Sequence, residues 1–182
     1  RPVKGITKAM EALAPLVNNY PSLSLLLAGG DLDPSYSAVV REMASRMSWV
    51  DMLGEVPHHR MGEIISSSDL VLNCSFFEGG MANSILEAMI MGKPVLARNV
   101  LGNRSLISHG VNGWLYNSDH ELREFLLAIL DNPELGVKTG AAGRKYVQER
   151  FSVTSEARSY RQLYEQVIDG FSKTNARKIQ HS

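Results

Sequence analysis

Short apolar runs alternate with segments of helical periodicity along this chain, and that alternation constrains the fold more than any other feature. Residues 7–18 begin the pattern, with Ile6, Met10, Leu13 and Val17 on one helical stripe that ends before Pro21. Leu23 to Ala28 is continuously apolar, the mark of a strand buried on both faces, and Gly29-Gly30-Asp31 and Pro34 close it. Residues 35–47 read as a helix, Val50 to Leu53 as a strand ending at Gly54, and residues 59–67 as a short helix. Leu70 to Cys74 is a strand, residues 82–91 a helix stopped by Gly92 and Pro94, and Pro94 to Ala97 another strand. One or two helical turns over 103–109 precede a last strand, Gly113 to Tyr116. Helices then follow over 119–131, 134–149 and 153–171, with Asp119 and Ser152 as caps. The polar tail from Ser172 to Ser182 reads as disordered.

This order predicts an α/β domain over residues 1–171, a Rossmann-like parallel sheet with helices on both faces. Sheets of this kind bind ligands beyond the carboxyl ends of their strands. The loops 29–34, 54–58, 75–82 and 98–103 are therefore where chemistry is expected.

Composition narrows the function. The chain has 182 residues, enough for one domain with a real core. Its 19 basic and 19 acidic residues balance, which argues against a dedicated nucleic-acid binder or a membrane-surface protein. No apolar run reaches the length of a membrane span. The single cysteine, Cys74, has no partner for a disulfide and no zinc-site spacing around it, which points to a reducing, cytoplasmic setting. Arg1-Pro2-Val3-Lys4 reads as a piece cut from a longer protein.

The loop 75–82 carries the richest chemistry. It reads Ser75-Phe76-Phe77-Glu78-Gly79-Gly80-Met81-Ala82 and runs through Asn83-Ser84 into a helix bearing Glu87. Glycines at a helix entrance let a ligand approach the backbone closely, and the free N–H groups and dipole of the first turn favour an anion such as a diphosphate. Glu87 lies one helical turn beyond Asn83 and on the same face, where a carboxylate can accept from two neighbouring sugar hydroxyls. Glu78 can do the same for a second sugar. Arg1 and Lys4 stand where a preceding strand would end and suit a diphosphate.

Plainer readings compete with these. Ser84-x-x-Glu87 before an apolar run is also a capping box, in which case the glycines simply make a turn. Arg1 and Lys4 also read as two solvated charges. Asp31-Leu32-Asp33 resembles a metal-binding DxD, but it sits in a glycine- and proline-bounded turn with no further hard ligand beside it, so no metal is expected. His58-His59 read as polar residues of a helix-entry turn, and Cys74 as a small apolar filler at a strand end.

The run Phe77 to Met89 resembles the signature of the retaining GT-B glycosyltransferases of group 1, family four. Met91-Gly92-Lys93-Pro94-Val95-Leu96-Ala97 and His109-Gly110-Val111-Asn112-Gly113-Trp114-Leu115 continue that resemblance in order, and Arg1 to Gly5 resembles the family's diphosphate-binding element. The resemblance runs to about residue 165. It implies the C-terminal, donor-binding half of a two-domain enzyme, a retaining hexosyltransferase. The acceptor-binding N-terminal domain would lie outside this chain, and the chain alone would transfer no sugar. Carried over, Arg1 and Lys4 hold the diphosphate, Glu78 the donor sugar, and Gly79, Gly80, Met81, Ala82 and Asn83 offer backbone donors. Glu87 holds the ribose, and Gly54-Glu55-Val56 receive the base. The substrate is a nucleoside-diphosphate sugar such as a UDP or GDP sugar, the acceptor is unknown, and neither cofactor nor metal is implied.

Two departures from the family pattern stand out. Eight residues separate Glu78 from Glu87, one more than the family has, so a glycine at 79 or 80 bulges the loop. The family's Gly-Gly-x-x-Glu reads Gly102-Asn103-Arg104-Ser105, without the acid. Both motivate an alternative, a sugar-nucleotide-binding or interaction module that has lost transfer activity.

Overall fold

The computed structural model describes residues 1–151. The helix expected over 153–171, its cap at Ser152 and the tail from Ser172 lie outside the described residues. By contacts the chain divides into two compact units, Arg1–Lys145 and Tyr146–Ser182. The site lies in the first.

The expected alternation is present. A 3-10 turn at Pro2–Lys4 leads into α1 (Ile6–Leu13), β1 (Leu25–Ala28), α2 (Pro34–Ala44) and β2 (Val50–Gly54). There follow α3 (His58–Ser67), β3 (Val71–Asn73), α4 (Asn83–Ile90), β4 (Val95–Arg98), α5 (Leu101–Arg104) and β5 (Trp114–Tyr116). The long helices α6 (Asp119–Asp131) and α7 (Pro133–Arg150) complete the order. Every strand pair is parallel. Among the described residues the strands form two sheets, β1-β2 and β3-β4-β5.

Helices cover the larger sheet on both sides. On one side Ala12 and Leu13 of α1 pack with Leu96, Trp114 and Tyr116 of the strands and with Leu122, Leu126 and Ile129 of α6. Val95 and Ala97 point the other way, toward α4, which packs on β3 and β4 through Ile85, Ala88 and Met89. Each such buried Leu, Ile or Met contributes about 1.5–3 kcal/mol of apolar transfer. A second core joins Met10 of α1 to Val40, Ala44 and Val50, so α1 serves both sheets.

Four local expectations are corrected. The first helix ends at Leu13 rather than 18, because Pro15 opens a separate 3-10 turn, Ala14–Leu16. The apolar run 23–28 is not buried on both faces, since β1 is a sheet edge that pairs with β2 alone and leaves Leu26 38% exposed. Ser118, not Asp119, caps α6, its hydroxyl accepting the Glu121 N–H at 3.1 Å. The Ser84-x-x-Glu87 box does not form. The N-cap of α4 is Ala82, with no side-chain cap, so Ser84 already lies inside the helix.

No helix among the described residues is long and apolar enough to cross a membrane.

Candidate functional site

The strands end at Ala28, Gly54, Asn73, Arg98 and Tyr116, and the side chains of interest gather beyond those ends. The chain start is brought there first. Gly5 adopts φ 64°, a left-handed conformation, to turn from the 3-10 segment into α1, and a Cβ on it would collide with the Cys74 carbonyl. The Phe76 N–H donates to the Val3 carbonyl at 2.8 Å, and Cys74 Sγ donates to the Lys4 carbonyl at 3.0 Å. Residues 3–5 are thus fastened to the end of β3, and Lys4 reaches the loop after it.

Lys4 Nζ donates to Glu78 Oε1 at 2.8 Å, with the Glu78 side chain 14% exposed. Asn73 Nδ2 donates to the same oxygen at 3.3 Å. Partial burial pushes the Glu78 carboxyl upward, but hydrogen bonds from Lys4, Ser75 and Asn73 outweigh it and hold the group below its ordinary value. Glu78 is therefore a carboxylate at neutral pH, despite its enclosure.

The loop next to it is open. Gly79, Gly80 and Met81 are exposed, and α4 begins at Asn83 with no side chain over its first N–H groups. Those groups remain available to an anion. Glu87 projects from the second turn of α4, and its Oε1 lies 3.9 Å from His58 Nδ1 at the start of α3, a contact that becomes an ion pair when the imidazole is protonated. The loop Gly54-Glu55-Val56 leads directly into that histidine through Pro57, and the Glu55 carboxylate lies close beside Gly30. Arg1 is exposed at the start of the 3-10 turn, where its carbonyl accepts the Lys4 N–H at 3.0 Å.

The structure thus joins Lys4 to Glu78 and brings Glu87 within 3.9 Å of His58 at the end of the 54–58 loop. A Cβ on Gly102 would run into the Gly80 carbonyl and lie 2.7 Å from Glu78 Cβ, so the Glu78–Gly80 loop packs directly on the bare backbone of Gly102. In sequence His58 reads only as a polar turn residue, and Asn73 and Asn103 carry no assigned role. His58 and Asn103 both stand in loops selected by topology, 54–58 and 98–103, which is the available signal. Nothing in the sequence marks Asn73, which lies within a strand.

Other residues read in the sequence have structural partners. Asp31 pairs with Arg41, and Asp33 caps α2 by accepting the Tyr36 N–H at 3.0 Å. Among the described residues no group of three or more acidic, cysteine or histidine side chains gathers into a metal cage. Burial pushes the Cys74 thiol up to about 11, so it is a protonated filler at neutral pH.

A parallel α/β sheet covered by helices on both faces has the architecture of one half of a GT-B glycosyltransferase. The chain belongs to the glycosyl transferases group 1 family, whose model matches residues 1–132. It is 29% identical over 163 residues to glycosyltransferase 1 domain-containing protein 1 of Xenopus tropicalis, covering 90% of this chain and 47% of that protein. The Anabaena protein HepE in complex with UDP-glucose superposes with a TM-score of 0.80 at 25% identity, covering 91% of this chain and 46% of that one. Sucrose-phosphate synthase from Thermosynechococcus elongatus superposes with a TM-score of 0.77 at 26% identity, covering 93% and 44%. The chain spans about half the length of such relatives.

Proposed function

We propose that this chain is the donor-binding domain of a retaining glycosyltransferase, which transfers a hexose from a nucleoside-diphosphate sugar to an acceptor held by an N-terminal domain. The observation that carries the reading is the uncapped entrance of α4 flanked by the Lys4–Glu78 pair. The diphosphate sits on the N–H groups of Gly80 to Ala82 and the first turn of α4, with Lys4 and Arg1 supplying positive charge. Glu78 accepts from hydroxyls of the donor sugar. Glu87 accepts from the ribose, and Gly54-Glu55-Val56 meet the base through backbone atoms.

Catalysis in this reading is electrostatic. As the glycosidic C–O bond breaks, negative charge grows on the departing diphosphate. Fixed donors and cations already aimed at that charge lower the barrier without reorganising. Arg1, Lys4 and the α4 dipole perform this work, and the residues invoked require no metal. The UDP-glucose bound by the HepE structure supports a nucleotide sugar as the ligand class.

The wider Glu78–Glu87 spacing and the missing acid in Gly102-Asn103-Arg104-Ser105 motivate an inactive module as the alternative. One feature supports an intact sugar subsite: Glu78 is held charged by Lys4 and Asn73 rather than released to solvent.

Calorimetry of the chain with UDP, GDP and ADP tests the donor site. One of them binds weakly, in the micromolar to millimolar range. A folded chain that binds none of the three at millimolar concentration overturns the assignment. Transfer assays on the full-length protein with a donor panel separate transferase from inactive module.

A further inference from the structure

A chain of buried amides runs from the end of β4 to Glu78, and the reaction proposed above makes no use of it. Asn103, with no exposed surface, donates from Nδ2 to the Arg98 carbonyl at 2.9 Å and to Asn73 Oδ1 at 3.3 Å. Asn73, only 6% exposed, also accepts the Ser75 N–H on Oδ1 at 3.2 Å and donates Nδ2 to Glu78 Oε1. Both amide orientations follow from their partners. A backbone N–H only donates, so it faces Asn73 Oδ1, and a carboxylate only accepts, so it faces Asn73 Nδ2. The Arg98 carbonyl likewise faces Asn103 Nδ2.

Buried amides cost stability unless their polar atoms are used. An aliphatic residue at the end of β3 would fill the space without that demand. Here Asn73 spends both ends of its amide on the 75–78 turn, and Asn103 donates to Asn73 and β4 while its own buried Oδ1 has no hydrogen-bond partner among the described residues, a cost its two donated bonds must offset. The backbone adds a second connection, because Gly102 abuts Gly80 and Glu78 directly. The loop after β4 therefore grips the Glu78 loop through side chains and through backbone.

We propose that Asn73 and Asn103 are positioning residues, which hold the Glu78 carboxylate in the orientation that reads hydroxyl groups of the donor sugar. The inference rests on the donor-binding reading above. In it, the β4–α5 loop governs the discrimination between a nucleoside diphosphate with a sugar and one without. In that reading the ribose and base contacts lie elsewhere, on Glu87 of α4 and the 54–58 loop, and the diphosphate is held by backbone N–H groups and cations that neither asparagine touches. Loss of the relay therefore weakens the sugar contact while leaving the nucleotide contact in place.

Asn73→Asp tests this with no change of volume. It keeps the oxygen that serves Ser75 and Asn103 but turns a second carboxylate oxygen toward Glu78. Two carboxylates at that spacing cannot both ionise easily, so the Glu78 titration midpoint moves upward. Carbon-13 NMR of glutamate-labelled chain reads it, with Glu78→Gln assigning the resonance. Asn103→Ala removes the support of Asn73 and moves the same midpoint upward by a smaller step. Calorimetry compares UDP with UDP-glucose, and GDP with GDP-mannose. In Asn73→Asp the affinity gained from the sugar falls about tenfold, the effect of losing one charged hydrogen bond. In Asn103→Ala, which adds no charge beside Lys4, the sugar-dependent gain also falls while the bare diphosphate stays within about twofold.

A Glu78 midpoint that stays at the wild-type position in both variants, with nucleotide binding intact, overturns the positioning role alone. So does an equal loss of affinity for the bare and sugar-bearing nucleotides in Asn103→Ala. Failure of every nucleotide to bind the folded wild-type chain removes the donor-site reading, and the positioning role with it. Asn73→Asp remains readable even if Asn103→Ala lowers the melting temperature.

Discussion

Lys4 and Glu78 meet at 2.8 Å across 74 positions of sequence, and their contact joins the turn before α1 to the loop before α4. The pair is half-shielded, with Lys4 39% and Glu78 14% exposed. It gathers cation and carboxylate at the strand ends before any ligand arrives. In the proposed donor site, a diphosphate entering beside them would find Lys4 already oriented.

The first prediction concerns acid. The Glu78 carboxyl is held below its ordinary value, so the native state favours its ionised form. Stability from this group is fully present above the ordinary carboxylate value and is lost as pH falls through the lower native value. Lys4→Met removes that contribution, which is about 1 kcal/mol or less for a partly exposed pair. Urea denaturation of both proteins at pH 7 and near pH 3 checks it. The stability gap between wild type and Lys4→Met narrows in acid, and a constant gap refutes the contact.

Glu87→Ala weakens nucleotide binding about tenfold or more with little change in melting temperature. Ser84→Ala stays within about 0.5 kcal/mol of wild type, because Ser84 does not cap α4. Calorimetry and thermal denaturation read the two quantities separately. A loss of about 1 kcal/mol in Ser84→Ala would restore the capping box.

Gly102→Ala places a methyl group against backbone, at the Gly80 carbonyl, rather than against a side chain that can rotate away. The expected cost is about 1–3 kcal/mol in a urea titration. Deleting Gly79 in the same chain relieves part of that cost if the extra loop residue is what Gly102 accommodates. Additive effects of the two changes would show that it is not.

The Cys74 thiol titrates near 11 in the folded chain. A raised value stabilises the fold below the ordinary thiol range and loses that contribution as pH climbs from about 9 toward 11. At pH 8 the native thiol reacts with a disulfide reagent far more slowly than the urea-unfolded one. Equal rates would place Cys74 at the surface.

Edge strands exchange their amide protons faster than central ones. Leu26 and Met52 lie in the two-stranded sheet and are 38% and 41% exposed, whereas Leu96 between β3 and β5 is fully buried. Native-state hydrogen exchange is therefore expected to give Leu96 the greater protection.

Much of this was legible in the residue order. Among the described residues, apolar runs bounded by turn-forming residues mark the five strands to within two residues, because a buried strand requires such a run and a turn must end it. The segment Phe77 to Glu87 was legible for the same reason, as its glycines and acids sit where a parallel sheet exposes its loops. The edge character of β1 was not, since a run of leucines does not state how many neighbours it will have. Nor was the end of α1, where Pro15 interrupts a stripe that periodicity alone would carry to Val17.

Sequence by itself determined the alternation of elements, the loops available for chemistry and the presence of Lys4, Glu78 and Glu87. Those follow from local rules of periodicity and turn chemistry, which act over a few residues. Only the tertiary structure decided which of them meet. Lys4 reaches Glu78 because Gly5 turns the chain against β3, and Glu87 reaches His58 because α3 and α4 begin beside each other. Asn103 reaches Asn73 because β3 and β4 are adjacent and in register. Such contacts depend on pairing between distant strands, and no local pattern of residues encodes that pairing.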